Sequence, residues 1–149
     1  MSVLCVCLGN ICRSPAAEGV LKAVANRRGV DIVVDSAGTG AWHAGEPPDP
    51  RMQAAAARRG YNLSGQRARK ATPADFQKFA FIYAMDQSNL NDLQAIAPAS
   101  HDTVLARFLG DADVPDPYYG ADDGFDHVLT LIEGAAGTIL DRIAVMGEK

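Results

Sequence analysis

Val3-Leu4-Cys5-Val6-Cys7-Leu8-Gly9-Asn10-Ile11-Cys12-Arg13-Ser14-Pro15-Ala16-Ala17-Glu18 is the stretch from which the rest of the chain is read. Its apolar opening, Val3 to Val6, has the character of a buried strand. Pro15 to Leu21 reads as the start of a helix. A cysteine therefore ends a strand, an arginine lies six positions on, and a helix begins at once. A tight loop in that position turns its backbone N–H groups inward, next to the positive end of the helix dipole. The resulting hollow is the size of an anion, with Cys7 at its lip. A thiolate placed there is set to attack phosphorus.

Working outward, the first helix carries its own start signals. Ser14 reads as the N-cap, Pro15 as the first helical residue and Glu18 as a first-turn acid. Ala17, Val20, Leu21 and Val24 recur at helical spacing, and Gly29 ends the run. Asp31 to Asp35 reads as a second strand. Ser36 to Pro48 reads as a loop rich in Gly and Pro, with an exposed Trp42. Gly38-x-Gly40 lacks the third glycine of a dinucleotide-binding turn, since His43 stands at that spacing. Asp49-Pro50 opens a second helix through Met52, Ala55 and Ala56, which stops at Gly60. Tyr61 to Ala71 is irregular and basic, and Arg67, Arg69 and Lys70 read as a solvated face. Thr72-Pro73-Ala74-Asp75 resembles a capping box before a short third helix. Ala80 to Ala84 is a third strand, Asp86 or Ser88 caps a fourth helix, and Val104-Leu105-Ala106 is the last strand. The closing helix shows one apolar face of Phe125, Val128, Leu129, Ile132, Ala136, Ile139, Leu140 and Ile143. Strands alternating with helices imply an α/β chain, a single three-layer domain over residues 1–149. Its four-stranded parallel sheet has helices on both faces and a phosphate-binding loop after the first strand.

Composition narrows the classes. The chain has 149 residues, 48% hydrophobic and 21% charged, enough for one real core. A net charge of -4 argues against a broad nucleic-acid surface. No apolar run approaches the roughly 18 residues that cross a membrane, and no signal-peptide pattern opens the chain. The three cysteines all fall within the first twelve residues and make no disulfide framework, so the cytoplasm is the expected compartment. The expected state is a monomer or a weak self-associating dimer. A metal site from Cys5, Cys7 and Cys12 lacks a fourth ligand, and His43, His101 and His127 have no partner spacing, so neither metal nor cofactor is expected.

Cleaving a phosphate monoester needs charge neutralisation, an in-line nucleophile and a proton for the leaving oxygen. Leu8, Gly9, Asn10, Ile11, Cys12 and Arg13 can offer successive N–H donors to phosphate oxygens. Arg13 adds a planar guanidinium pair that Lys could not reproduce. The helix dipole, the N–H groups and Arg13 all favour a thiolate at Cys7. Ser14 can donate a hydrogen bond to the sulfur, and Asn10 can bond across the loop and hold it rigid. The general acid is read as Asp116, set between two prolines after the last strand. Asp113 is its rival in the same acidic loop. Cys5, inside the strand, reads as a small core residue.

Residues 3–18 resemble the opening of low-molecular-weight protein tyrosine phosphatases. The resemblance continues through Asp35-Ser36-Ala37-Gly38-Thr39, Trp42, Pro48-Asp49-Pro50-Arg51, Ala84-Met85-Asp86 and Asn89-Leu90, to Asp116-Pro117-Tyr118-Tyr119. It implies Cys7 as nucleophile, Arg13 as phosphate clamp and Asp116 as general acid and base. It implies Asn10, Ser14 and Ser36 as supports of the loop. Trp42, Tyr118 and Tyr119 would wall the cleft and stack on a phosphotyrosine ring, and the tyrosine pair would be a candidate for phosphorylation. In the family a second loop cysteine can form a reversible disulfide with the nucleophile, so Cys12 is read either as that partner or as packing. Many relatives carry a His where Gln66 stands. Gln can still donate a hydrogen bond but cannot titrate.

The substrate implied is a tyrosine-phosphorylated protein, with phosphate or another oxyanion in the loop. Related arginine phosphatases tend to carry Thr where Ile11 stands here, and an apolar Ile11 suits an aryl phosphate better. A thiol redox enzyme of the arsenate-reductase type needs resolving cysteines, and none follows Cys12. A phosphate-binding module would not need a nucleophile and a general acid together.

Overall fold

In the computed structural model, which describes residues 1–118, 120 and 123–147, a four-stranded sheet in the order β2-β1-β3-β4 forms the middle layer. Its strands are β1 (Ser2–Cys7), β2 (Val33–Gly38), β3 (Phe81–Ala84) and β4 (Val104–Arg107), and every pairing is parallel. The helices are α1 (Arg13–Arg28), α2 (Pro50–Arg58), α3 (Asp75–Lys78), α4 (Gln87–Ile96) and α5 (Asp123–Gly147). The strand period of two divides β1 between two cores. Val3, Cys5 and Cys7 join the cluster that holds α1, α2 and α5. Leu4 and Val6 join the smaller cluster with Phe76, Phe79 and Leu93 on the other side. The α/β, three-layer expectation therefore holds.

The closing helix buries all eight residues of its expected face and packs against α1 and α2. Gly29 caps α1 in the left-handed region at φ 70°, where glycine has no steric penalty. Asp49 caps α2, its carboxylate accepting from the Arg51 N–H at 2.8 Å. One half of the expected capping box forms, with the Thr72 N–H donating to Asp75 at 2.9 Å.

Two expectations fail at boundaries. α1 starts at Arg13, with Cys12 in the cap position, so Ser14 lies inside the first turn and does not cap it. Its hydroxyl is drawn instead to Cys7, Asn10 and the Ala37 carbonyl. β2 runs from Val33 to Gly38 rather than Asp31 to Asp35. Pairing to β1 as far as Cys7↔Gly38 decides this, because ladder hydrogen bonds outweigh the low strand preference of Ser, Ala and Gly. The irregular segment after α2 then adds to the free side of β2. The Gly38 N–H donates to the Arg69 carbonyl, and the Ala71 N–H to the Gly38 carbonyl, both at 2.8 Å.

The chain steps from β1 outward to β2, then returns to β3 on the other side of β1. Sheets of this kind bind ligands at the carboxyl ends of the strands where the order reverses. Cys7 ends β1, and Met85-Asp86 follows β3 at that crevice.

Ile132→Ala removes a fully buried α5 side chain and is expected to cost about 2–5 kcal/mol in chemical denaturation. Val145→Ala, on the exposed side of the same helix, should stay within about 0.5 kcal/mol of the parent.

Candidate active site

The loop between β1 and α1 is built around the side chain of Asn10. Asn10 is the one non-glycine residue among those described with positive φ, at 59°, a region Asn tolerates better than most. That backbone turn aims its N–H at the Cys7 sulfur, 3.3 Å away. Its amide nitrogen donates to Ser14 Oγ at 2.8 Å and Ser36 Oγ at 3.0 Å, and its oxygen accepts from the Arg69 N–H at 3.0 Å. The loop is thereby tied to α1, to β2 and to the segment beyond α2. Ser14 Oγ lies 3.0 Å from Cys7 Sγ. Among the described residues, the backbone N–H groups of Gly9, Ile11 and Cys12 donate to no other backbone group. They stay available to an anion at the start of α1.

Two glycines allow this packing. A Cβ on Gly38 would lie 2.7 Å from the Leu8 carbonyl oxygen and 3.2 Å from Asn10 Cβ. A Cβ on Gly9 would press the His43 ring at 3.0 Å.

Arg13 is buried, at 3% side-chain exposure, and a buried cation needs close partners. One guanidinium nitrogen donates to Asp86 Oδ2 at 2.7 Å and to the Val114 carbonyl at 3.0 Å. The other lies 3.6 Å from Asp116 Oδ2. Burial pulls the guanidinium toward neutrality, but Cys7, Asp86 and Asp116 outweigh it and hold Arg13 above its ordinary value. Cys7 is therefore one of the groups that hold the buried Arg13 cation in place.

Asp116 and Asp113 separate by position. Asp113 accepts from the Gln87 N–H and from Arg107, both at 3.0 Å, and so anchors its loop. The loop is held again where the Val114 N–H donates to the Met85 carbonyl at 2.8 Å. Asp116, two residues beyond Val114, lines the cleft. Its Oδ1 accepts from the Tyr118 N–H at 3.1 Å, leaving Oδ2 facing Arg13.

The cleft above the loop has a volume of about 430 Å³. Cys7 and Arg13 lie at its buried end, with Ile11 and Cys12 beside them and Leu8, Gly9, Trp42, Asp116 and Tyr118 around them. The site residues expected from the sequence are thus brought together, Asn10 and Ser14 through their bonds beneath the loop. Tyr119 lies outside the described residues. Trp42 is 72% exposed and stands at the rim. Arg69 is no solvated surface group, since it pairs with Asp35 at 3.2 Å and Asp75 at 3.1 Å.

Three residues escaped the sequence reading. Asp86 was read as a helix cap and fell within the resembling stretch Ala84-Met85-Asp86, but with no role at Arg13; it is also a cap, accepting from the Asn89 N–H at 2.7 Å. Glu18 was read as a first-turn acid, yet it is buried and accepts from Ser36 Oγ at 2.9 Å. His43, paired with Glu46 at 2.9 Å, lines the cleft and carries no sequence signal beyond its neighbour Trp42.

The three thiols differ in surroundings. Burial above all, then the charges of Asp49, Cys7 and Asp116, pushes the Cys12 thiol up. Burial, then Glu18, does the same to Cys5. Both therefore stay protonated at neutral pH, whereas Cys7 faces a cation, a hydroxyl and an N–H.

A family model described as low molecular weight phosphotyrosine protein phosphatase matches residues 2–148. A low molecular weight protein-tyrosine-phosphatase of Streptomyces coelicolor is 42% identical, over 93% of this chain and 90% of that one. A crystal structure of a protein tyrosine phosphatase from Entamoeba histolytica, with Hepes in its active site, superposes with a TM-score of 0.93. It is 35% identical and covers 100% of this chain and 99% of its own. A crystal structure of a Drosophila arginine phosphatase superposes with a TM-score of 0.90 at 32% identity, covering 96% and 98%.

Gly38→Ala forces a methyl against backbone and is expected to lower kcat at least tenfold and stability by about 1–3 kcal/mol. Gly134→Ala, whose Cβ meets nothing within 4 Å, should change neither activity nor fold. Steady-state kinetics and thermal melts on both variants check the pair.

Proposed function

The chain belongs to the low molecular weight phosphotyrosine protein phosphatase family and is a protein-tyrosine-phosphatase, and we propose that Cys7, Arg13 and Asp116 carry its reaction. The observation behind this is one contact set. The Cys7 sulfur lies within 3.0 Å of Ser14 Oγ and 3.3 Å of the Asn10 N–H. Arg13 sits in the same buried end of the cleft, with Asp116 3.6 Å from it.

In this reading the phosphate oxygens take the free N–H groups of the loop and the outer edge of the Arg13 guanidinium. The Cys7 thiolate attacks phosphorus in line with the leaving oxygen. As the S–P bond forms and the P–O bond breaks, Asp116 gives its proton to the departing phenolate. The carboxylate left behind then takes a proton from water, whose oxygen attacks the cysteinyl phosphate. Inorganic phosphate leaves, the sulfur departs as thiolate stabilised by Ser14, and Asp116 is protonated again. No step draws on a metal.

The aryl group is taken by the apolar rim. Ile11 packs at the base of the cleft, and Leu8, Trp42 and Tyr118 surround its mouth. A flat phenyl ring fits between such groups and gains from stacking. The exposed Leu8 and Trp42 at the rim fit either a monomer or a weak self-associating dimer. Three free, buried cysteines suit the reducing cytoplasm.

Turnover of a phosphotyrosine peptide against a phosphoarginine peptide, in chelator, tests the whole reading. Phosphotyrosine is expected to be preferred, with Cys7→Ser inactive but still binding phosphate. Asp116→Asn is expected to lower kcat about 10²–10⁴-fold. A preference for phosphoarginine would keep the mechanism and overturn the role given to Ile11. Iodoacetamide at neutral pH should label Cys7 alone, since burial keeps Cys5 and Cys12 in the unreactive thiol form. Labelling of Cys12 in the folded protein would contradict this.

A further inference from the structure

Arg51, in the first turn of α2, is not among the residues that line the reaction cleft. Its guanidinium nevertheless bridges two segments that shape it. Nε donates to Asp49 Oδ1 at 3.1 Å and Nη2 to Asp49 Oδ2 at 3.0 Å, a two-point fork. Nη2 also donates to the Tyr118 carbonyl at 3.0 Å. The central carbon of the guanidinium lies 4.7 Å from the Phe125 ring centre and 5.5 Å from that of Tyr118, within reach of a cation–π contact.

Both ends of the bridge lead to the site. The Asp49 N–H donates to the Ile11 carbonyl at 2.8 Å, so the fork rests on a residue bonded to the catalytic loop. Burial would raise the Asp49 carboxyl, but the hydrogen bonds from Arg51 outweigh it and hold the group below its ordinary value. That end is firmly paired. At the other end, Tyr118 gives its N–H to Asp116 Oδ1 at 3.1 Å while its carbonyl accepts from Arg51. The backbone of one residue therefore joins the cation to the acid.

The bond from Tyr118 to Asp116 closes a turn two residues long, stiffened by Pro115 and Pro117. Such a turn moves as one piece, so its internal bond does not decide where the carboxyl stands. The anchors on either side do. Ahead of Asp116 the loop is pinned at Val114, by the Met85 carbonyl and by Arg13. Behind it, Arg51 pins the Tyr118 carbonyl. The second anchor matters because Arg13 attracts the same carboxyl. Asp116 Oδ2 lies 3.6 Å from the Arg13 guanidinium, too far for a direct hydrogen bond.

We propose that Arg51 is a positioning residue for the general acid: by holding the Tyr118 carbonyl against α2, it keeps the Asp116 carboxyl off Arg13 and free to meet the leaving oxygen. The proposal rests on the reading of Asp116 as that acid. With the Tyr118 end released, the turn pivots about Val114 and closes the gap to Arg13. The carboxyl then leaves the departing oxygen and occupies the phosphate clamp. Arg51 is 41% exposed, so water competes for its bonds. Its loss is therefore milder than loss of the acid itself.

The test compares kcat/KM for phenyl phosphate, whose leaving oxygen needs a proton, with kcat/KM for para-nitrophenyl phosphate, whose leaving oxygen does not. Arg28→Met, which breaks a remote surface pair with Asp141, serves as control. Arg51→Met is expected to lower the phenyl phosphate value about tenfold, the scale of one charge-assisted hydrogen bond, and the para-nitrophenyl value less than about threefold. In an Asp116→Asn background the same substitution should cost less than about twofold, since no acid is left to position. Tyr118→Ala, which removes the ring and keeps the carbonyl, should raise KM for both substrates without a selective loss. Arg51→Lys keeps a cation beside Asp49 but not the fork that reaches Asp49 and Tyr118 together. It should show the selective loss in a protein that melts with the control, which covers an unstable Arg51→Met. Equal losses on the two substrates would overturn the proposal. So would a tenfold cost in the Asp116→Asn background, or a Tyr118→Ala variant that reproduces the selective loss. Asp116→Asn alone with no selective loss on phenyl phosphate would instead sink the reading of Asp116, and is scored separately against the parent.

Discussion

A guanidinium out of water is the constraint on which the site depends. Arg13 stands at the first residue of α1, where the chain has just left β1, and it is buried. Left alone there, its charge would cost several kcal/mol. Asp86 answers it from the end of β3, and the Val114 carbonyl answers it from the loop after β4. One side chain thus gathers three segments that are distant in sequence. The same arrangement delivers Asp116, since Val114 and Asp116 share a short, proline-stiffened loop. The cation that is to clamp the substrate is also the reason the acid stands beside it.

The other half of the loop is held by neutral groups. Asn10 uses both N–H donors and its oxygen, so its side chain is fully engaged. A network satisfied in this way is rigid, and a half-satisfied one would be costly. Rigidity is what the chemistry requires, because N–H groups already aimed at an anion need no reorganisation when charge develops. Gly38 and Gly9 keep the space for it, one against backbone and one against His43.

The fold was legible because its signals are local and repeated: a strand period in β1, helical spacing in α5, and Gly29 and Asp49 at helix ends. Cys7, Arg13 and Ser14 were legible because one turn of backbone sets their spacing. Asp116 stood out through the two prolines around it. The roles that stayed hidden are those decided across the fold. Asp86 meets Arg13 across 73 positions, and nothing near Asp86 in the sequence assigns it that partner. Glu18 looked like a first-turn acid until Ser36 proved to lie in a strand rather than a loop. Ser14 looked like a cap because hydroxyls near a helix start usually are, yet the sulfur and Asn10 had the stronger claim on it.

The central claim is that the phosphoryl group passes through the Cys7 sulfur. The direct measurement is rapid acid quench of Asp116→Asn protein mixed with para-nitrophenyl phosphate, followed by peptide mass mapping. Nitrophenolate leaves without help from an acid, so the first step should proceed while the second lacks its base. The account predicts a burst of one nitrophenol per enzyme and one phosphoryl group on the peptide that contains Cys7. Steady release of nitrophenol with no phosphoryl group on that peptide would contradict it.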